Sequence, residues 1–178
     1  MILHLSGVIA NHSRNRRKTR AFQAYDVQRM SVQMEISRIL IRELTDAQII
    51  ELKEVDGKRT LPIVVGMPEA YAIERSLKGV KPTRPQTHDL LSSVIEHLGG
   101  LLHQVAISDL KDGTFFAKLI MLQGGDDYSI DCRPSDAIAL AIANHVPVFV
   151  EESVLDEIER NPFDIDESNP NEDQFDWD

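Results

Sequence analysis

A run of seven consecutive apolar residues in the second half of the chain constrains the fold more than any other feature. It extends from Ala137 to Ala143 and follows Pro134, which favours the first position of an α-helix because its missing N–H needs no partner there. A helix that is apolar all round has no face suited to water, so other elements must cover it on every side. The sequence therefore predicts a packed domain with a buried helix at residues 134–144.

The start of this helix is polar, in contrast to its interior. Arg133 precedes the helix, and Ser135 and Asp136 fall in the first turn, where the positive end of the helix dipole stabilises negative charge. Serine and aspartate at such positions commonly cap a helix, an effect of about 0.5 to 2 kcal/mol. The same arrangement also suits an anion-binding site. These residues alone allow both interpretations.

Charge divides the chain into three parts. The net charge is −10 over 178 residues, but residues 1–30 carry +5 and residues 151–178 carry −11, which leaves −4 for the remainder. Neither end has a regular apolar pattern, as is typical of flexible segments. We predict a basic flexible extension at residues 1–33, one domain at 34–160 and an acidic disordered tail at 161–178. Phe163, Phe175 and Trp177 in that tail could anchor a protein partner.

Composition excludes several classes of protein. The hydrophobic content of 42% and the charged content of 27% are typical of a soluble globular protein. No apolar run approaches the roughly 20 residues that span a bilayer. The one cysteine, Cys132, excludes an internal disulfide. These features predict a cytoplasmic protein without a membrane segment.

The first half of the domain contains strand patterns followed by a helix pattern. Branched apolar residues predict strands at 36–44, 47–55 and 59–65, with turns at Thr45-Asp46 and Asp56-Gly57. Pro62 lacks the N–H that a central strand must donate, so the third strand is predicted to lie at a sheet edge or to contain a bulge. A helix follows from Pro68 and ends at Gly79.

The second half is predicted to begin with a helix that Thr87 caps. Its apolar residues recur at the spacing of a single buried face: Leu90, Leu91, Val94, Ile95 and Leu98. Strands are predicted at 101–110, 114–123, 128–132 and 147–150, with helices at 134–144 and from Ser153. The fold class predicted is α+β, one domain with mainly antiparallel sheet and three to four helices.

Three motifs occur in the order found in one known family. They are the signature R-P-S-D-A-I-A-L-A at 133–141, the run L-P-I-V-V-G at 61–66 followed by Glu69-Ala70, and T-H-D-L-L at 87–91. Together they resemble the bifunctional nuclease domain family over roughly Met34 to Glu157. Three ordered motifs are far more specific than any one of them. The resemblance implies DNase or RNase activity and a homodimer.

Several acidic residues and one histidine are candidates for phosphodiester hydrolysis. We predict Asp131, Asp136 and His88 as catalytic residues, with Arg133 and Ser135 binding substrate phosphate. Asp136, Asp131, Glu69 and Asp89 are candidate ligands of Mg²⁺ or Mn²⁺, since nucleases commonly use carboxylate-held metals. Each also has a structural interpretation: Asp136, Glu69, His88 and Asp89 as helix-start residues, and Asp131 as a partner of Arg133. Cys132 is predicted to face the core with Ile130.

The sequence leaves two functions open. The first is a divalent-metal-dependent nuclease that hydrolyses phosphodiester bonds of DNA or RNA, with nucleic acid as substrate. The second is a non-catalytic oligomeric module that binds a small anionic ligand or a protein partner. The weak charge of the domain favours the second, since nucleic-acid affinity comes largely from neutralising phosphates. The three motifs favour the first.

Overall fold

The computed structural model describes residues 31–42 and 46–160. Within them, seven strands form one sheet in the order β3-β2-β1-β7-β4-β5-β6. The strands are β1 (Ser31–Leu40), β2 (Ala47–Glu54), β3 (Thr60–Gly66), β4 (Gly100–Lys111), β5 (Thr114–Gln123), β6 (Asp126–Cys132) and β7 (Val148–Glu151). The helices are α1 (Met67–Leu77), α2 (Thr87–His97), α3 (Pro134–Asn144) and α4 (Glu152–Arg160). The predicted α+β class and helix number are confirmed.

The sheet is antiparallel except at one junction, where β7 runs parallel to β4. The other edge of β7 pairs antiparallel with β1, so this four-residue strand joins the two halves of the chain into a single sheet. The β3 strand lies at one edge, as Pro62 predicts, because an edge strand needs no donor on its outer side. No helix among the described residues is long and apolar enough to cross a membrane.

Helix α3 is the buried helix that the apolar run predicts. The residues from Ala137 to Ala141 are at most 1% exposed. The helix packs against α1 and α2 and over β4 and β5, and its small alanine side chains allow the neighbouring elements to approach closely. It ends at His145, which adopts a left-handed conformation with φ 55°. Burial of α3 fixes the position of its polar start, where Arg133 and Asp136 lie.

Several predicted boundaries were wrong by a few residues. The first strand was predicted at 36–44 and runs from Ser31 to Leu40, so residues 31–33 of the predicted extension belong to the sheet. The last strand ends at Glu151, and α4 begins at Glu152 rather than Ser153. The predicted basic extension otherwise lies outside the described residues, as does the predicted acidic tail.

The prediction of one buried face on α2 was wrong. Only Ile95 is buried, and four large apolar side chains of the helix, here called the α2 stripe, are 41–70% exposed: Leu90, Leu91, Val94 and Leu98. The helix instead turns its more polar side inward, where Ser92 accepts a hydrogen bond from Asn144 of α3 at 2.8 Å. The predicted cap was also wrong, because Gln86 rather than Thr87 precedes the first turn.

Candidate active site

The polar start of α3 does not cap its own helix. Arg133 has an extended backbone, with φ −70° and ψ 147°, and no side chain accepts a hydrogen bond from the free N–H groups of the first turn. The carboxylate of Asp136 is directed instead to side chains outside the helix backbone. Asp136 is therefore not a side-chain cap of α3, and its carboxylate contacts Arg133 and His88 instead.

Arg133 binds two carboxylates that come from different helices. Its Nε donates to Asp136 Oδ2 at 2.8 Å, and its Nη2 donates to Asp136 Oδ1 at 3.0 Å, which makes a two-pronged ion pair. The same Nη2 donates to Glu69 Oε1 in the first turn of α1 at 2.9 Å. The Arg133 side chain remains 65% exposed, so its guanidinium lies at the surface between these acids.

His88 approaches the same aspartate from a third helix. Its Nε2 lies 3.3 Å from Asp136 Oδ1, and the side chain of His88 is only 16% exposed. Since His88 lies in the first turn of α2, the starts of α1, α2 and α3 contribute one residue each, and Arg133 adds the cation. We call Glu69, His88, Arg133 and Asp136 the four-residue cluster.

Electrostatics keep Asp136 ionised. The hydrogen bond from Arg133 lowers the pKa of the Asp136 carboxyl below its ordinary value of 3.8, the contact with His88 adds to this, and partial burial opposes it. The two carboxylates of the cluster raise the pKa of Arg133, with Asp136 contributing most. At neutral pH the cluster therefore contains a carboxylate and a guanidinium whose charges are both fixed.

This arrangement can support acid–base chemistry. A neutral His88 that donates its Nε2–H to Asp136 keeps a lone pair on Nδ1, and that nitrogen can accept a proton from water. An aspartate that orients a histidine in this way is a recurrent catalytic pair. The exposed guanidinium of Arg133 can bind phosphate oxygens beside it.

Two predicted site residues lie apart from the four-residue cluster. Asp131 is exposed and opposite Lys118 in the β5–β6 pairing, not beside Arg133. The prediction extended strand alternation to Arg133, but β6 ends at Cys132, where the chain turns into α3. Asp89 accepts hydrogen bonds from the Gln86 backbone N–H at 2.9 Å and from Arg75 at 3.0 Å, so it holds the start of α2.

The exposure of Ser135 and of the pair Cys132 and Ile130 differs from the prediction. Ser135 is 7% exposed, which leaves little of it available for substrate. Cys132 packs partly against the core, and burial, followed by the charges of Asp136 and Asp131, raises the pKa of its thiol to about 11. Ile130, however, is 45% exposed, so the prediction that it faces the core was wrong.

Arg75 is a residue that sequence reasoning missed. It lies in the last turn of α1, pairs with Asp89 and is largely buried, so it ties α1 to the start of the helix that carries His88. Its only signal in the sequence is a basic residue near the end of a predicted helix. Such a signal is too common to select one arginine.

The described residues do not fit a carboxylate-held metal ion as they are arranged. Across residues 31–42 and 46–160, no group of three or more histidine, cysteine, aspartate or glutamate side chains converges closely enough to hold one. In the four-residue cluster, the guanidinium of Arg133 lies between the carboxylates of Glu69 and Asp136 and donates hydrogen bonds to both. Dependence on Mg²⁺ or Mn²⁺ stays a prediction.

The chain is similar to bacterial and plant proteins. An uncharacterized protein of Mycobacterium tuberculosis is 40% identical over 123 residues, which cover 69% of this chain and 73% of the relative. Bifunctional nuclease 1 of Oryza sativa subsp. indica is 26% identical over 118 residues, and Bifunctional nuclease 2 of Arabidopsis thaliana is 30% identical over 105 residues. These alignments cover 64% and 57% of this chain but only 36% and 32% of the two plant proteins.

The matching family agrees with the motifs and with the position of the four-residue cluster. The bifunctional nuclease domain matches residues 50–162, which include all four residues of the cluster and the helices α1 to α4. The matched region is well over half of the chain. The protein therefore belongs to the bifunctional nuclease domain family.

Proposed function

We propose that the protein is a nuclease that hydrolyses phosphodiester bonds of DNA or RNA at the four-residue cluster. The observation that carries the proposal is the contact between His88 and Asp136 beside the exposed Arg133. Membership of the family supports nuclease activity, and the plant relatives bear the name bifunctional nuclease. The proposed setting is the cytoplasm, as the single Cys132 predicts.

The proposed reaction assigns one role to each residue of the cluster. Arg133 binds a non-bridging oxygen of the scissile phosphate and stabilises the charge that develops there. His88 Nδ1 takes a proton from a water molecule, whose oxygen then forms a bond to phosphorus as the bond to the leaving oxygen breaks. The leaving oxygen takes a proton from solvent. Asp136 orients His88, and Glu69 holds Arg133 in place.

A cleavage assay tests this function and the metal prediction together. We expect the purified protein to cleave labelled oligonucleotides, offered as single-stranded and double-stranded DNA and RNA in separate reactions. The same reactions with EDTA test the predicted Mg²⁺ or Mn²⁺ dependence. Loss of cleavage that either ion restores supports the metal, whereas cleavage unchanged by EDTA removes it. No cleavage of any substrate in the presence of both ions would contradict the nuclease proposal.

The α2 stripe favours an oligomer, whether the protein acts as an enzyme or as a non-catalytic module for an anionic ligand or a protein partner. Tyr128 and Ile130 of the edge strand β6 are exposed as well. Together these six side chains leave on the order of 500 Å² of apolar area in water, more than half of the ~800 Å² that each partner buries in a standard interface. We propose a homodimer that buries the stripe.

Substitution within the stripe tests the dimer. Leu90→Glu combined with Leu98→Glu is expected to shift the protein from dimer to monomer, because both side chains are mostly exposed in one copy and a buried charge at an interface is costly. Light scattering after size exclusion measures the mass. Glu96→Gln, which is exposed on the same helix but outside the stripe, is the matched control and should leave the mass unchanged. A wild-type protein that is monomeric at micromolar concentration would contradict the proposal.

A further inference from the structure

A groove runs along α1 on the side that faces the segment connecting α1 to α2. Its volume is about 330 Å³, and we call it the α1 groove. Pro68, Tyr71, Glu74 and Arg75 line it from α1, Val80 and Gln86 line it from the connecting segment, and Lys78 lies between the two. This volume falls in the lower part of the range of small-molecule sites, about 300 to 1,000 Å³. The α1 groove is therefore large enough for one nucleotide unit rather than for a folded partner.

The α1 groove and the four-residue cluster are close to each other in the sequence at two points. Pro68, which lines the groove, immediately precedes Glu69, whose carboxylate binds Arg133. Gln86, which also lines it, is two residues before His88. A chain molecule that places one phosphate at Arg133 can therefore continue along α1.

The connecting segment carries positive charge that is only partly compensated. Residues 78–86 contain Lys78, Lys81 and Arg84 and no acidic residue, although residues 31–150 as a whole carry −4. Lys78 pairs with Glu74 at 2.6 Å, but an exposed pair of this kind is weak. Neither Lys81 nor Arg84 forms an ion pair with any described residue. This segment is thus a local cationic rim on a mildly acidic domain.

The α1 groove also presents apolar surface to the solvent. Tyr71 is 52% exposed and Val80 is 56% exposed. Tyr71 shares the groove with Lys78, and Lys81 and Arg84 lie on the connecting segment that forms its other side. Single-stranded nucleic acids recognise an exposed aromatic ring with cations nearby, because bases stack on the ring and phosphates lie near the cations. A duplex keeps its bases stacked on one another and offers no free base to the ring.

We propose that the α1 groove binds a single-stranded segment of nucleic acid that extends from the four-residue cluster, with one base stacked on Tyr71 and phosphates near Lys81 and Arg84. This inference rests on the proposed nuclease function and names its substrate class. Arg75 takes no part, since its guanidinium binds Asp89 and its Nε is buried without a partner among the described residues.

Oligonucleotide binding tests the groove separately from cleavage. The probe is a fluorescently labelled single strand with phosphorothioate linkages that resist hydrolysis, and the readout is anisotropy. Tyr71→Ala is expected to weaken binding about tenfold, in line with the loss of one base–aromatic stack. Tyr71→Phe keeps the ring and should bind within about twofold of the wild type. Binding of a duplex of the same sequence should not depend on Tyr71.

The salt dependence of binding tests the cationic rim. Lys81→Ala combined with Arg84→Ala should reduce the slope of log K against log salt by about 0.7 for each phosphate that is no longer neutralised. Lys118→Ala, an exposed lysine on β5, is the control and should leave the slope unchanged. Thermal melts of all variants check that they fold. An unchanged slope in the double variant would overturn the role of the rim.

The outcomes separate this inference from the proposed function. Single-strand binding that depends on Tyr71, in a protein that cleaves nothing, supports the groove and removes the nuclease. Cleavage by a protein whose single-strand binding is unaffected by Tyr71→Ala removes the groove and leaves the nuclease. The inference is also overturned if the wild type binds no oligonucleotide, or if Tyr71→Ala weakens single-strand and duplex binding equally.

Discussion

Asp136→Asn is expected to reduce phosphodiester cleavage by at least a hundredfold while the protein stays folded. The substitution keeps the size of the side chain but removes the carboxylate that accepts hydrogen bonds from Arg133 and contacts His88 at 3.3 Å. Without that carboxylate, the imidazole loses the acceptor that orients it. General acid–base catalysis contributes about 10² to 10⁴ to a rate, which sets the expected loss.

His88→Asn is the companion to this variant. If the two residues act as a pair, it should lower cleavage to a similar level, and the double variant should lose little more, because residues that act as a unit are not additive. Rates come from single-turnover cleavage of a labelled oligonucleotide. Wild-type cleavage by Asp136→Asn would show that the contact between His88 and Asp136 is not part of the site.

The pH dependence of unfolding tests whether Asp136 also stabilises the fold. Because Arg133 holds the pKa of Asp136 below its ordinary value of 3.8, its stabilisation is present at neutral pH and is lost as the pH falls from about 4 through the folded-state pKa. Asp136→Asn lacks this contribution, so urea denaturation should show a small loss of stability at pH 7 that shrinks toward pH 3. A large loss at pH 7 would favour a structural role.

The sequence predicted the elements that are determined by local pattern. The apolar run after Pro134 led to a buried helix, and Pro62 led to an edge strand, because each depends on chemistry carried within a few residues. Pairing between β7 and β4 could not be read in this way. It depends on how a four-residue strand meets a partner some forty residues earlier, and no local pattern specifies that pairing.

Exposure of the α2 stripe has a different origin. Helical spacing identified an apolar face correctly, but spacing cannot say whether that face meets the core of the same chain or another molecule. In the structure, α1, β4 and β5 also cover α3, and α2 packs against α3 with small polar residues such as Ser92. Ile95 is the buried apolar residue of α2. The most apolar side of α2 therefore has no contact with the core formed by the described residues.

Local pattern identified the residues of the candidate site, but it could not show which of them lie together. Glu69, His88, Arg133 and Asp136 were all singled out from helix starts, and the structure brings these four together because α1, α2 and α3 pack side by side. Asp131 was included by extending strand alternation one residue too far. The partner of Asp89 could not be predicted, because Arg75 lies on another helix and only packing brings it near.

Arg133→Ala is expected to weaken oligonucleotide binding by at least tenfold and to reduce cleavage by about a hundredfold. The exposed guanidinium is the cation of the cluster, and loss of one group that stabilises transition-state charge commonly costs about 10² to 10³ in rate. Arg133→Lys should recover only part of the binding, since an ammonium group cannot keep the two-pronged pair with Asp136 and also present a further N–H to a phosphate oxygen.

Stability distinguishes phosphate binding from a purely structural bridge. Arg133 is 65% exposed, and ion pairs at such sites contribute about 0 to 1 kcal/mol, so both variants should unfold close to the wild-type temperature if the residue serves the substrate. If it serves only to join Glu69 and Asp136, both variants should melt earlier while the folded protein binds oligonucleotide as tightly as before. Titration of each variant with a labelled oligonucleotide, beside a thermal melt, separates these results, and unchanged affinity in both would remove Arg133 from the site.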